Sequence, residues 1–257
     1  MNLLDDWGSC ADLDLFVPCF VDQFYPEAAF AAVQVLEALG CTVHCPSGQT
    51  CCGQPAYNAG FWDEAKPVVC KWLRDFAPAS QGNPRPVVVL SSSCTGMVRN
   101  AYGDLLSADS EGFLEWQTIR PRVFEWVEFV HAHPRFNDLK FHFPHKVSYH
   151  DACSALRECG IRSQVRDLLA QVEGLELIEL PDGETCCGFG GTFALKFEGI
   201  STAMADQKIQ HYLDTGAEYL VSADMSCLMH LQAYADRQKT GVRSLHLAQV
   251  LAQGLNQ

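Results

Sequence analysis

Eight cysteines, in two sets of four, are the residues of this chain best suited to chemistry. One set is Cys19, Cys51, Cys52 and Cys94, and the other is Cys153, Cys186, Cys187 and Cys227. In each set a lone cysteine precedes an adjacent pair followed by glycine, and a fourth cysteine comes later. Cys19 to Cys51 spans 32 positions against 33 for Cys153 to Cys186, and Cys52 to Cys94 spans 42 against 40 for Cys187 to Cys227. The flanks repeat as well: Val87-Val88-Val89-Leu90-Ser91-Ser92-Ser93 leads into Cys94 as Tyr219-Leu220-Val221-Ser222-Ala223-Asp224-Met225-Ser226 leads into Cys227. Self-similarity of this kind marks an internal repeat.

Four thiolates suit either zinc or an iron–sulfur cluster, since both are tetrahedral centres with soft ligands. The adjacent pairs favour the cluster. Closing a mononuclear site with neighbouring residues forces a small, awkward ring, and structural zinc sites set their paired cysteines a few residues apart. Consecutive thiolates can instead reach different irons of a larger cluster. The glycines of Cys52-Gly53 and Cys187-Gly188-Phe189-Gly190-Gly191 let backbone N–H groups approach the sulfurs and tune the potential. Cys10, Cys41, Cys70 and Cys159 fall outside the repeat and read as ordinary buried thiols. Cys45, six residues before Cys51, is an extra ligand or a redox thiol at most.

The elements that must position these thiols alternate strand and helix. Leu13 to Val17 reads as a buried strand. Pro26-Glu27 opens an amphipathic helix that stops at Gly40, with proline near its start and glycine past its end. Cys41 to His44 is a second strand, Gly60 to Phe76 a helix that Pro67 should kink, and Pro86 to Leu90 a third strand. The second half repeats this order: strand Val147 to Tyr149, helix Ile161 to Val172, strand Leu175 to Leu180, helix Ile200 to Thr215 and strand Tyr219 to Ser222. Further apolar segments, Val123 to Val130 and Val242 to Leu251, close the halves. Continuous apolar strands alternating with helices imply parallel sheets covered on both faces. The expected fold is α/β: two tandem doubly wound units, 13–136 and 146–254, related by a pseudo-two-fold. Asn100 to Glu115 and His131 to Lys146 are expected between the halves, with Pro144 marking the boundary. Loops at the carboxyl ends of parallel strands converge, so each set of four should gather at one sheet edge.

A chain of 257 residues, 48% of them hydrophobic, supports two domain-sized cores. Its 18 basic against 31 acidic residues leave a net charge of −13, which repels phosphate backbones and argues against nucleic acid as a partner. No apolar run is long enough to span a bilayer. Met1 to Leu15 carries Asp5, Asp6, Asp12 and Asp14 where a signal peptide has a basic start and an apolar core. A cytoplasmic protein without membrane insertion is expected, in a reducing compartment where clustered cysteines bind metal more often than they pair.

At these residues the chain resembles the Cys-Cys-Gly family of iron–sulfur proteins. That family includes the catalytic B subunit of heterodisulfide reductase and the cysteine-rich subunits of glycolate and glycerol-3-phosphate oxidation systems. The resemblance runs from Phe16 to Leu251. It narrows in Gly48-Gln49-Thr50-Cys51-Cys52-Gly53-Gln54-Pro55-Ala56-Tyr57-Asn58, Ser93-Cys94-Thr95-Gly96-Met97, Cys186-Cys187-Gly188-Phe189-Gly190-Gly191-Thr192-Phe193 and Asp224-Met225-Ser226-Cys227-Leu228-Met229-His230. There it is similar to the lactate utilization protein A family, the iron–sulfur subunit of a bacterial L-lactate oxidation complex. The resemblance implies an oxidoreductase subunit that passes electrons as L-lactate becomes pyruvate. Its expected partners are other subunits of that complex, one of them ferredoxin-like. The eight cysteines would hold one or two iron–sulfur clusters of the 4Fe-4S type. In the heterodisulfide reductase pattern each repeat closes Cys-x-x-Cys, and five cysteines can hold a noncubane cluster. Here Met97 and His230 stand at the closing positions, leaving four cysteines per half, enough for an ordinary four-iron cluster. Two other readings stay open: a thiol–disulfide or heterodisulfide reductase acting at a cluster, and a zinc-stabilised scaffold.

No catalytic residue is assigned. His150-Asp151, just before Cys153, are candidates for a supporting role beside the ligands, since a histidine next to a carboxylate can relay protons or orient a ligand. His230 is a third such candidate and a possible nitrogen donor. His131, His133, His142 and His145 give no two-ligand helical face and read as an exposed linker. Gly188-Phe189-Gly190-Gly191 lacks the spacing of a phosphate loop, and no hydrolase motif occurs.

Overall fold

Residues 12–77, 84–108 and 110–255 are described by the computed structural model, which leaves Cys10 outside. Val87, Val88 and Val89 are wholly buried, and their side chains alternate between two separate apolar clusters: Val88 joins one, Val87 and Val89 the other. A strand of period two with both faces covered belongs in a parallel sheet. The strands are β1 (Asp12–Phe16), β2 (Thr42–His44), β3 (Val87–Val89), β4 (Val123–Glu125), β5 (Phe141–His142), β6 (Lys146–Tyr149), β7 (Val172–Glu173), β8 (Glu176–Leu177), β9 (Tyr219–Ser222) and β10 (Ser244–His246).

Two four-stranded sheets carry the repeat, in the orders β2-β1-β3-β4 and β8-β6-β9-β10, and every pairing in them is parallel. β1 corresponds to β6, β2 to β8, β3 to β9 and β4 to β10, so the two orders are the same. In each, the chain leaves the first strand for one side and returns on the other, which makes a topological switch point between β1 and β3 and another between β6 and β9. β5 and β7 form a separate parallel pair. One apolar core joins the sheets: Leu13, Leu15 and Val88 share it with Val147, Leu220 and Val221. The helix Pro26–Ala38 of the first half packs on the terminal helix Leu247–Gly254 of the second. The other face of the first sheet is covered by the helices Trp62–Phe76 and Glu111–Ile119.

The closing apolar segments are each a fourth strand followed by a helix, β4 with Trp126–Ala132 and β10 with Leu247–Gly254. The region after Asn100 does not lie between the halves. Tyr102 and Trp116 are buried in the first-half cluster, and Trp116 Nε1 donates to Val98 O at 2.7 Å. The segment Leu175 to Leu180 keeps only Glu176–Leu177 as strand, because Pro181 and a turn with Asp182 at φ +54° end it at the sheet edge. The helix at Ile161 shortens to Ser163–Ala170, set off by Gly160 at φ +66°. His142 is exposed, but His133 is buried, its ring Nδ1 accepting from Arg135 N and its Nε2 lying 3.8 Å from Cys41 Sγ. Among the described residues no helix is long and apolar enough to cross a membrane.

Candidate metal centre

Each cysteine of the repeat lies in the segment that follows the carboxyl end of a strand. Cys19 opens the short helix Cys19–Phe24 after β1, and Cys94 lies in Ser92–Gly96 after β3. Cys51 and Cys52 occupy the loop after β2. Cys153 follows β6, Cys186 and Cys187 the loop after β8, and Cys227 the first turn of Met225–Gln238 after β9. The Asp224 carboxylate caps that helix by accepting from Ser226 N at 3.1 Å. Gly53 and Gly188 have φ of +88° and +92°, which glycine adopts without strain, and their N–H groups donate to Cys51 Sγ at 3.3 Å and Cys186 Sγ at 3.4 Å.

The two sets do not form two separate edges. All eight thiols line one cavity of about 200 Å³. Its apolar wall includes Phe20 from the first half and Phe189 from the second, whose rings meet edge to face at 5.6 Å. Across its floor Ser91 Oγ donates to Asp224 Oδ2 at 3.1 Å. Ser91 and Asp224 stand at equivalent places in the repeat, three residues before Cys94 and Cys227, so this bond joins the halves near their pseudo-symmetry axis. Glu158 is the other carboxylate lining the cavity.

Within the sets, Cys19 and Cys51 sulfurs lie 4.0 Å apart, Cys52 and Cys94 3.3 Å, and Cys187 and Cys227 3.0 Å. These separations are too long for a disulfide, whose sulfurs lie about 2.05 Å apart. They bracket the roughly 3.8 Å that separates two thiolates on one tetrahedral metal. One thiol in each set is strongly acidic. Hydrogen bonds from Cys19 and Cys52, aided by the Gly53 N–H, push Cys51 down to about 3. Those from Cys153 and Cys187, with the Gly188 N–H, push Cys186 to about 2. Hydrogen bonding to these thiolates, together with burial, pushes Cys19 and Cys153 well up. A soft metal bound there would take the thiols as thiolates, releasing protons as it binds. The donor set fits a thiophilic centre.

His150 is wholly buried at the end of β6, and neither ring nitrogen has a hydrogen-bond partner among the described residues. A ring nitrogen, Cys187 Sγ and Cys227 Sγ all lie within 4.8 Å of one another. Burial pushes the imidazole down to about 4, keeping it neutral. Asp151 does not pair with it. Both Asp151 oxygens are taken by Arg166, at 2.5 and 2.7 Å. His230 is half-buried beneath the Gly188 loop, its Nε2 3.2 Å from Ser201 Oγ and its ring against Phe189. It is not among the residues lining the cavity. Met97 is buried in the first-half core. Cys45 is exposed and, like Cys41, Cys70 and Cys159, stands off the cavity. Asp224 and Ser91 were not singled out from sequence. Aligning the two repeats puts them opposite one another, and that was the signal available for finding them.

The Cysteine-rich domain family model, CCG, matches this chain twice, over residues 13–99 and 147–232. The first match holds Cys19, Cys51, Cys52 and Cys94, and the second holds the other four. The chain is 38% identical over 244 residues to lactate utilization protein A 1 of Bacillus anthracis, covering 95% of this chain and 99% of that one. It is 38% identical over 239 residues to lactate utilization protein A of Geobacillus thermodenitrificans, covering 93% and 98%. A solved structure of a hypothetical protein from Helicobacter pylori shares the fold, with a TM-score of 0.65 at 10% identity over 96% of this chain and 50% of that one. By two matches to the cysteine-rich domain and by identity along nearly its whole length, the chain belongs to the lactate utilization protein A family.

Proposed function

We propose that this chain is an iron–sulfur electron-transfer subunit of a cytoplasmic complex that oxidises L-lactate to pyruvate. The observation that carries this reading is the convergence of eight thiols on one cavity at the carboxyl ends of two parallel sheets. Each set is assigned a four-iron cluster, with Cys19, Cys51, Cys52 and Cys94 holding one and Cys153, Cys186, Cys187 and Cys227 the other. When bound, such clusters supply one-electron chemistry. The chain's own residues do the rest. The Gly53 and Gly188 N–H groups donate to the thiolates, which raises the potential of any cluster bound there. Phe20 and Phe189 limit water. The same reading takes 13–136 and 146–254 as two copies of one domain, each with its own set. Lactate itself is oxidised elsewhere in the complex, whose other members include a ferredoxin-like iron–sulfur subunit.

The test is iron, acid-labile sulfide and zinc per chain on anaerobically purified protein, with low-temperature EPR before and after reduction. About eight irons with equal sulfide support two clusters and about four support one. Zinc without sulfide overturns the electron-transfer reading in favour of a scaffold. The shared cavity also favours a second reading, reduction of a small disulfide held between the sets. Turnover of a disulfide by the purified chain with only a chemical reductant as electron donor selects that reading, and dependence on lactate and both partner subunits rejects it.

A further inference from the structure

Resting on the assignment of a cluster to the second set, we propose that Lys208 is the buried countercharge of that cluster and raises its potential, a role that Lys71 does not play for the first. The two lysines hold equivalent places. Each donates to the carbonyl of a glycine three residues before the Cys-Cys pair: Lys71 Nζ to Gly48 O, and Lys208 Nζ to Gly183 O at 3.3 Å, with Asp182 O at 2.9 Å. Each comes from the long helix that follows its pair, Trp62–Phe76 or Glu198–Thr215. They differ one turn on. Asp75 pairs with Lys71 at 2.5 Å, whereas the residue four beyond Lys208 is Tyr212, whose hydroxyl donates to Ala217 O at 2.9 Å. The second copy of the lysine thus lacks the carboxylate that the first copy has.

That loss matters because Lys208 is buried, 1% exposed, and charged groups inside proteins are almost always paired. Among the described residues no carboxylate forms an ion pair with it. Both Asp151 oxygens are held by Arg166, and the exposed Asp182 side chain faces His211 at 3.8 Å. Burial pulls the ammonium below the usual lysine range, and Cys187 leads the groups that hold it up, ahead of Asp182 and Asp151. The helix sets the ammonium there. Ser201, Ala205, Lys208 and Tyr212 recur on its buried face. From that face Ser201 Oγ donates to Gly188 O at 2.8 Å, so the helix grips the loop on both sides of Cys186 and Cys187.

A cluster held by four thiolates is net negative, and each electron it accepts adds to that charge. A fixed positive group in dry surroundings therefore favours the reduced form. Lys71 has little such effect, because its charge is offset by Asp75 and partly exposed to solvent. Asp224, buried three residues before Cys227, opposes Lys208. It is unchanged in every variant at position 208, so those variants read the lysine alone.

The test is EPR-monitored redox titration of the anaerobically purified full chain, in which the midpoint that Cys187→Ser removes identifies the second centre. Lys208→Met and Lys208→Gln, the latter keeping an N–H donor for the carbonyls, are expected to retain iron and sulfide. Both should weaken electron uptake at the second centre about tenfold, a fall of about 59 mV for one electron, and leave the first midpoint in place. Lys208→Arg should restore the second midpoint, and Lys71→Met should move neither. Full iron with an unmoved second midpoint in both neutral variants overturns the proposal, and so does an equal fall in Lys208→Arg. Where the neutral variants lose the second centre, its retention in Lys208→Arg supports the charge. Its loss from all three makes Lys208 a strap only and overturns the proposal. Iron confined to the first set overturns this inference and leaves electron transfer standing, whereas a wild-type chain that takes up no iron overturns both.

Discussion

The two halves share strand order and thiol placement, and they part company in the polar groups around the thiols. Phe16 faces an aromatic cluster where His150 faces thiols. Ser91 offers a hydroxyl where Asp224 offers a carboxylate. A lysine straps the loop before each Cys-Cys pair: Lys71 Nζ donates to Gly48 O and Lys208 Nζ to Asp182 O and Gly183 O. Lys71 is partly exposed and paired with Asp75, whereas Lys208 is buried. The shared parts are those that parallel-sheet geometry needs to deliver four thiols. The parts that differ set the charge and polarity around them, so one backbone presents two sites of unlike electrostatics.

The largest effect tests whether the sets are separate. Cys52→Ser and Cys187→Ser are each expected to remove the metal of their own half, about half of the total iron, leaving the other half's EPR signal intact. Cys70→Ser, off the cavity, should leave iron unchanged. Loss of all iron from either single substitution would show that the cavity holds one shared centre and would break the comparison.

Next in size is the cost of a side chain at the two loop glycines. Both need positive φ, which costs an alanine about 1–2 kcal/mol. A Cβ at Gly53 meets nothing closer than 3.5 Å, whereas one at Gly188 falls 2.8 Å from Ser201 O and 2.9 Å from Met204 Cβ. Gly188→Ala should therefore lower the melting temperature clearly more than Gly53→Ala, and calorimetry of the two variants checks it. Equal losses would mean that the second loop yields as readily as the first.

The thiols and their strand ends were legible in the sequence because the spacing was written twice, and chance does not repeat eight positions. Helix starts at Pro26 and stops at Gly40 were legible from local chemistry. The meeting of the two sets was not, because it depends on contacts between distant segments such as Pro26–Ala38 against Leu247–Gly254, which no local pattern encodes. β4 and β10 were hidden for a different reason. Glu125 and His246 interrupt apolar runs as ordinary polar residues do, and only the structure shows each as the cap between a strand and a helix. His133 looked like linker because its neighbours are polar, but it packs beside Cys41 and Phe129.

Those two caps give the smallest and most symmetric prediction. Glu125 and His246 occupy equivalent positions, each in a capping box: Glu125 accepts from Val127 N while Glu128 accepts from Glu125 N, and His246 accepts from Ala248 N while Gln249 accepts from His246 N. Burial keeps both neutral, pushing the Glu125 carboxyl from 4.5 up to about 8 and the His246 imidazole from 6.5 down to about 4. The signs are opposite. Stability that depends on protonated Glu125 is full below pH 4.5 and is lost as pH rises through about 8. Stability that depends on neutral His246 is full above pH 6.5 and is lost as pH falls through about 4. Melting temperature against pH should therefore lose its alkaline decline in Glu125→Gln and its acid decline in His246→Asn, with about 1 kcal/mol lost in each at intermediate pH from imperfect capping. Profiles that merely run parallel to wild type would show that these caps do not set the pH limits of their halves, and that the duplication differs only around its thiols.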